Sequence, residues 1–158
     1  MSCADEKSVN IVGVHIAVSR GDKGKMAQII TFPRKDKRRY TILVVDQEPV
    51  GRELLCNALN DAGCNAFAVS SADEAARMLD RGIFAIDLVF SDADVPGILN
   101  GYALASWVME NKPGLPVLLA SSNGEAAAQW TEMSKPYDIA LAVHRIRATL
   151  ERSIKRRA

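Results

Sequence analysis

The fold is decided by one short stretch, TILVVDQEPV, at residues 41–50. Its first five residues are apolar or β-branched without alternation, which is typical of a strand buried on both faces of a parallel sheet. Polar residues follow at Asp46 and Glu48, and Pro49 is well placed in the first turn of a helix. Apolar residues then recur at helical spacing as far as Gly63. The stretch therefore predicts a strand, a polar loop and a helix.

The same alternation continues along the chain. Ser71 and Glu74 form a capping box at the start of a second helix. Further strands are predicted at 66–69, 86–90 and 115–119, and further helices at 72–81, at 101–111 and from Pro136 onward. Strands that alternate with helices predict right-handed crossovers and a doubly wound α/β fold with a parallel sheet.

The charge is divided unevenly along the chain, although 20 basic and 19 acidic residues nearly balance. Residues 1–39 carry nine basic and four acidic side chains, residues 40–151 carry seven and fifteen, and residues 152–158 add four basic ones. We predict a loosely ordered basic N-terminal extension (1–39), an acidic domain (40–152) and a basic tail (153–158). The acidic excess of the domain argues against nucleic-acid binding through phosphate neutralisation.

Length and composition exclude several other classes of protein. The chain has 158 residues, which suits one ordinary domain and leaves no room for a second domain of normal size. No apolar run approaches the roughly 20 residues of a membrane span. The three cysteines lack the spacing of a disulfide framework or a zinc site. We therefore expect a single-domain cytoplasmic protein with no membrane association.

Polar side chains stand where the predicted strands end, and in doubly wound folds the ligand site lies beyond those carboxyl ends. Carboxylates at one rim favour magnesium, and a carboxylate can also be the nucleophile that accepts a phosphoryl group. A hydroxyl and an ammonium across the pocket would hold the phosphoryl oxygens. The residues that the rule gathers are Asp46, Glu48, Asp92, Asp94, Ser121 and Lys135. They predict phosphoryl transfer to an aspartate, with Asp92 as the acceptor.

From Tyr40 to Arg152, the chain resembles the response-regulator receiver domain of bacterial two-component signalling. The resemblance rests on four stretches in the expected order: ILVVDQEP (42–49), DLVFSDADVPG (87–97), PVLLASS (116–122) and SKPYD (134–138). It implies a flavodoxin-like fold with a five-stranded parallel sheet. It also implies a phosphoacceptor signalling protein rather than an enzyme, with magnesium as its cofactor.

The resemblance assigns roles residue by residue. It makes Asp92 the phosphoacceptor and places Asp46 in the acidic corner that holds magnesium, with the backbone carbonyl of Asp94 completing the metal shell. Ser121 matches the switch hydroxyl that moves onto the phosphoryl group. Lys135 matches the phosphate-contacting lysine, and the peptide before Pro136 is usually cis in the family.

The sequence departs from the family at the metal corner. Receivers usually have two adjacent acids after the first strand, and the second of them is the direct metal ligand. Here that second position is Gln47. Because an amide brings no charge, we predict weaker magnesium binding, with Glu48 as a possible substitute ligand.

The sequence also departs from the family between Ser121 and Lys135, which only 13 residues separate. An average helix and strand with their loops do not fit there. We predict that the fourth helix is reduced to a turn or loop around residues 123–129 and that a short fifth strand lies near 131–134. The position three before the lysine, often an aromatic switch, is Glu132; Trp130 and Tyr137 are candidates for that role.

Three functions from different classes follow. The first is a single-domain response regulator that takes a phosphoryl group on Asp92 from a sensor histidine kinase or a phosphotransfer protein and signals to an unidentified downstream protein. The second is a non-phosphorylated pseudo-receiver that acts as a constitutive interaction module, as the uncharged Gln47 suggests. The third, motivated by the basic run at 34–39, is a nucleic-acid binder that uses the N-terminal extension.

Overall fold

The computed structural model describes residues 9–11, 14–16, 38–122 and 129–157. The chain divides into two compact units, Met1–Arg38 and Arg39–Ala158. In the first unit, strands β1 (Val9–Ile11) and β2 (Val14–Ile16) pair antiparallel. Each of these two strands has three residues. The predicted loose order of residues 1–39 otherwise falls outside the described residues.

The second unit is a five-stranded parallel sheet with helices on both faces. Its strands are β3 (Thr41–Val45), β4 (Asn65–Val69), β5 (Leu88–Asp92), β6 (Val117–Ser121) and β7 (Thr131–Ser134). Its helices are α1 (Pro49–Asp61), α2 (Ala72–Arg81), α3 (Gly101–Asn111) and α4 (Ile139–Arg157). The strand order is β4-β3-β5-β6-β7, so the winding reverses next to β3 and creates a crevice beyond the ends of β3 and β5.

Each face of the sheet has its own hydrophobic core. On one face, Val44, Phe90 and Leu118 pack with residues of α1 and α4 such as Leu55 and Ile146. A second cluster of buried residues covers the other face. It comprises Leu43, Val45 and Val89 of the sheet, Leu79 of α2, and Leu104 and Val108 of α3. The central strands β3, β5 and β6 are covered on both faces and are accordingly largely apolar.

The doubly wound sheet confirms the predicted fold class. Only four helices occur among the described residues of the second unit, and β7 has four residues, in agreement with a reduced fourth helix and a short fifth strand. The predicted turn or loop itself falls mostly on residues 123–128, outside the described residues. No helix in the described part of the chain has the length and apolar character needed to cross a bilayer.

Three predicted elements had boundaries that were wrong by two or three residues. Strands β5 and β6 each begin and end two residues later than predicted, because the pairing of Asp92 with Ala120 extends the ladder. Helix α4 begins at Ile139 rather than at Pro136. The Asp138 carboxylate accepts hydrogen bonds from the backbone N–H groups of Ala140 and Leu141 and so sets the start of the helix.

Candidate functional site

Three polar residues that end or follow central strands are buried at the carboxyl edge of the sheet. Asp92 is the last residue of β5, Ser121 is the last residue of β6, and Asp46 follows β3 directly. Their exposed fractions are 3%, 2% and 7%. Buried polar groups are costly unless they are paired, so these three residues indicate a site rather than ordinary loop positions.

The Asp92 carboxylate is held by contacts to both of its oxygens. The ammonium Nζ of Lys135 lies 2.6 Å from Oδ2, and the backbone N–H of Asp94 donates to Oδ1 at 2.9 Å. Because the carboxylate is almost fully buried and the lysine is only 24% exposed, this ion pair is poorly screened by solvent. It places a positive charge beside the carboxylate, where a transferred phosphoryl group would need one.

Lys135 reaches the site because its backbone is anchored to the neighbouring strand. Its N–H donates to the carbonyl of Ser121 at 2.8 Å, immediately after β7 ends. The Lys135–Pro136 peptide is cis, as the resemblance implies. The end of β7 therefore brings the lysine to Asp92, although 42 residues separate the two in sequence.

Asp46 adds a second carboxylate to the same corner. Its Oδ1 accepts a hydrogen bond from the Glu48 N–H at 2.9 Å, and its backbone carbonyl accepts one from the Arg52 guanidinium at 2.6 Å. Burial raises the pKa of Asp46, and the negative charge of Asp92 acts in the same direction; the Glu48 N–H and the Lys135 ammonium lower it. The corner thus holds negative charge that its surroundings only partly neutralise.

The two residues that follow Asp46 have different surroundings. Glu48 is the N-cap of α1, and its carboxylate accepts hydrogen bonds from the backbone N–H groups of Val50 and Gly51. That carboxylate is therefore engaged by the helix terminus. Gln47 is exposed at the rim, beside the same corner.

Ser121 contacts a residue that the sequence analysis did not select. The hydroxyl of Tyr102, in the first turn of α3, donates to Ser121 Oγ at 3.2 Å. The preceding residue, Gly101, packs against the end of β5 so closely that a Cβ there would lie 2.2 Å from the carbonyl oxygen of Asp92. A glycine at the start of a predicted helix was the available sequence signal for this approach, whereas nothing in the sequence singled out Tyr102 or Arg52.

The donor set at this edge is compatible with magnesium. Mg²⁺ is usually held by one or two carboxylates, with water and substrate oxygens completing its shell. The carboxylates of Asp46 and Asp92 lie close enough to interact electrostatically and could both serve as ligands. No cluster of three or more His, Cys, Asp or Glu side chains suited to a metal occurs among the described residues, so a metal here would depend on that smaller set.

Comparison with known proteins identifies the class. The family model described as the response regulator receiver domain matches residues 42–138. The matched segment contains both the sheet and the edge at which Asp92, Ser121 and Lys135 meet. The chain belongs to the response regulator receiver domain family, whose members act in two-component signalling and generally bind Mg²⁺ at the phosphorylation site.

Individual proteins similar to this chain include a regulatory protein and two proteins of known structure. The "Probable transcriptional regulatory protein TcrX" of Mycobacterium tuberculosis is 32% identical over an alignment of 131 residues that covers 76% of this chain and 53% of that protein. The chain therefore spans about half the length of this relative. A response regulator receiver protein from Sinorhizobium medicae has a TM-score of 0.65 at 26% identity, covering 73% of this chain and 98% of that one. NtrX from Brucella abortus has a TM-score of 0.68 at 30% identity, covering 75% and 28%.

Proposed function

We propose that this protein is a single-domain response regulator whose Asp92 accepts a phosphoryl group from the phosphohistidine of a sensor histidine kinase or a phosphotransfer protein. The observation that carries the proposal is the buried Asp92 carboxylate with Lys135 Nζ 2.6 Å from its Oδ2. In this proposal residues 40–152 form the receiver, residues 1–39 a basic extension and residues 153–158 a basic tail. The receiver is a phosphoacceptor and not an enzyme in its own right.

The chemistry is an in-line transfer between two nucleophiles. A carboxylate oxygen of Asp92 attacks phosphorus, the P–N bond to the partner's imidazole breaks, and its electron pair stays on that imidazole nitrogen. The product is a mixed carboxylic–phosphoric anhydride on Asp92. The Lys135 ammonium neutralises charge on the transferred group, and the Ser121 hydroxyl donates to one of its oxygens.

Magnesium belongs to the same proposal. When bound, Mg²⁺ would neutralise charge on the phosphoryl oxygens and orient them. We propose that Asp46, Asp92 and the backbone carbonyl of Asp94 hold it, with Gln47 or Glu48 as a further ligand. The role of Glu48 as the cap of α1 favours Gln47 for that position. Because Gln47 carries no charge, the proposal includes weaker metal binding than a second acid would give.

A partner must approach the acceptor, and exposed apolar side chains beside it support a protein as that partner. Ile98, in the loop between β5 and α3, is 94% exposed, and Val50, in the first turn of α1, is 63% exposed. Both belong to segments that follow strands at the carboxyl edge of the sheet. We propose that a kinase or phosphotransfer protein covers these side chains during transfer and that signalling proceeds through protein contacts, without nucleic acid or membrane, in the cytoplasm.

The alternative is a pseudo-receiver that binds partners without being phosphorylated. Gln47 is the residue that favours it, because it removes one acid from the metal corner. The acceptor, the lysine and the serine nevertheless occupy one edge, and Lys135 forms an ion pair with Asp92. This arrangement supports phosphoryl transfer over a purely constitutive role.

The test is intact-mass analysis after incubation with acetyl phosphate and magnesium. We expect one phosphate adduct on the parent protein and none on Asp92→Asn. Asp80→Asn, which alters an exposed aspartate on α2, is the matched control and should be modified like the parent. The proposal is contradicted if Asp92→Asn is modified as readily as the parent, or if neither acetyl phosphate nor phosphorylated histidine kinases modify the parent.

A further inference from the structure

Tyr102 links helix α3 to the serine at the end of β6. Its hydroxyl donates to Ser121 Oγ at 3.2 Å, and Ser121 is only 2% exposed. A partly buried tyrosine hydroxyl usually has a hydrogen-bond partner. Here that partner is Ser121, the side chain proposed to donate a hydrogen bond to the phosphoryl group. The contact therefore bears directly on how Ser121 is positioned.

The position of Tyr102 is itself set by the acceptor strand. Gly101 N–H donates to the carbonyl of Ala93 at 3.0 Å, and the absence of a Cβ lets α3 begin against the backbone of Asp92. At the same helix start, the Asn100 side chain accepts the N–H of Ala103 at 2.8 Å. The first turn of α3 is thus fixed to β5, so the phenol is held at a defined distance from the acceptor.

The other aromatic candidates have different surroundings. The Tyr137 ring packs edge-on against Phe90 at 5.7 Å, in the core beneath α1 and α4. Trp130 precedes β7 and lines a cavity of about 570 Å³ together with Met109 and Arg152, at the amino end of the strand. Glu132 occupies the position where an aromatic switch is often found. Tyr102, by contrast, is an aromatic side chain whose hydroxyl is hydrogen-bonded to the serine.

We propose that Tyr102 is a positioning residue: it holds Ser121 in one rotamer while Asp92 is unphosphorylated, and Ser121 leaves that rotamer when Asp92 is phosphorylated. The inference rests on the proposed function, because it requires Ser121 to donate to the phosphoryl group. Rotation of Ser121 about its Cα–Cβ bond into another staggered well carries Oγ out of the 3.2 Å contact. Phosphorylation then breaks the Tyr102–Ser121 hydrogen bond. Because Tyr102 lies in the first turn of α3, this helix loses its side-chain contact with Ser121.

The experiment measures the ratio of phosphorylated to unphosphorylated protein at steady state in limiting acetyl phosphate, by intact mass, on the full chain. Tyr102→Phe removes only the hydroxyl and with it the hydrogen bond to Ser121. We expect the ratio to rise by about 2- to 10-fold, the range that one net hydrogen bond supports. Tyr40→Phe removes a hydroxyl beside the amino end of β3 and is the matched control, with an unchanged ratio. Urea unfolding verifies that each variant is folded.

A double-mutant cycle separates positioning from general packing. If Tyr102 acts through Ser121, Tyr102→Phe should change the ratio by less than about 1.5-fold in a Ser121→Ala background. An unchanged ratio in the single variant, or an equal change in both backgrounds, overturns the inference while leaving the proposed function intact. A parent protein that takes no phosphate overturns both, and that outcome is visible before any variant is compared.

Discussion

At the residue scale, Gly101 is where helix α3 begins against the backbone at the end of β5. We expect Gly101→Ala to lower the free energy of unfolding by about 1–3 kcal/mol, the usual cost of overpacking, and to slow phosphate acceptance. The reason is that the new Cβ would lie 2.2 Å from Asp92 O and 2.7 Å from Ala93 Cα. Urea unfolding and intact mass measure the two effects. Gly51→Ala is the control, since its Cβ would meet the flexible end of Glu48 at 3.1 Å and would lie in ordinary contact with Asp46 Oδ2, at 4.0 Å.

Tyr137 gives a prediction on pH dependence. Burial raises its pKa to about 12 from the ordinary value of 10.0, and the negative charges of Asp46 and Asp92 add to the shift. Above pH 10 the phenol ionises in the unfolded chain but stays neutral in the folded one, so this group's contribution to stability falls as pH rises towards 12. We expect the free energy of unfolding of the parent to decline relative to Tyr137→Phe over that range, in urea titrations. A constant difference across it would contradict the assignment.

The residue scale is also where sequence reasoning about the site was most incomplete. Asp92 and Lys135 stand in stretches typical of the family, and the structure brings them into contact. Tyr102 stands in no such stretch, and its role depends on a hydroxyl reaching another element. A contact of that kind depends on how α3 is placed against β6, which no local pattern encodes.

At the scale of elements, helix α1 is capped by the side chain of Glu48, which lies two residues after Asp46. Glu48 caps α1, so Glu48→Ala should lower the free energy of unfolding by about 1 kcal/mol. Glu53→Ala changes an exposed glutamate of the same helix and should stay within about 0.5 kcal/mol of the parent. Urea unfolding in the absence of magnesium measures both changes in free energy. Equal effects of the two substitutions would argue against the cap.

Elements were predicted with unequal success, for physical reasons. Helices α2 and α3 have the predicted bounds because caps and apolar spacing are local signals. Strands β5 and β6 were placed two residues early because a strand ends where its ladder ends, and the ladder depends on the neighbouring strand. The short β7 followed from counting the residues between Ser121 and Lys135.

At the scale of the whole molecule, both core clusters lie within residues 40–150. We therefore expect that deleting residues 1–38 changes the free energy of unfolding of the remaining unit by less than about 0.5 kcal/mol. Phosphate acceptance on Asp92 should also be unchanged. Urea unfolding and intact mass again provide the measurements. Loss of the phosphate adduct after the deletion would show that the basic extension contributes to the site.

By itself, the sequence determined the α/β class, the parallel sheet and the acidic edge, because apolar runs, caps and strand-end residues are written locally in the chain. Only the tertiary structure decided that Lys135 Nζ lies 2.6 Å from the Asp92 carboxylate and that the Tyr102 hydroxyl donates a hydrogen bond to Ser121. It also decided that the Glu48 carboxylate caps a helix. These are contacts between side chains and particular atoms of other segments, and their geometry exists only once strands and helices have packed.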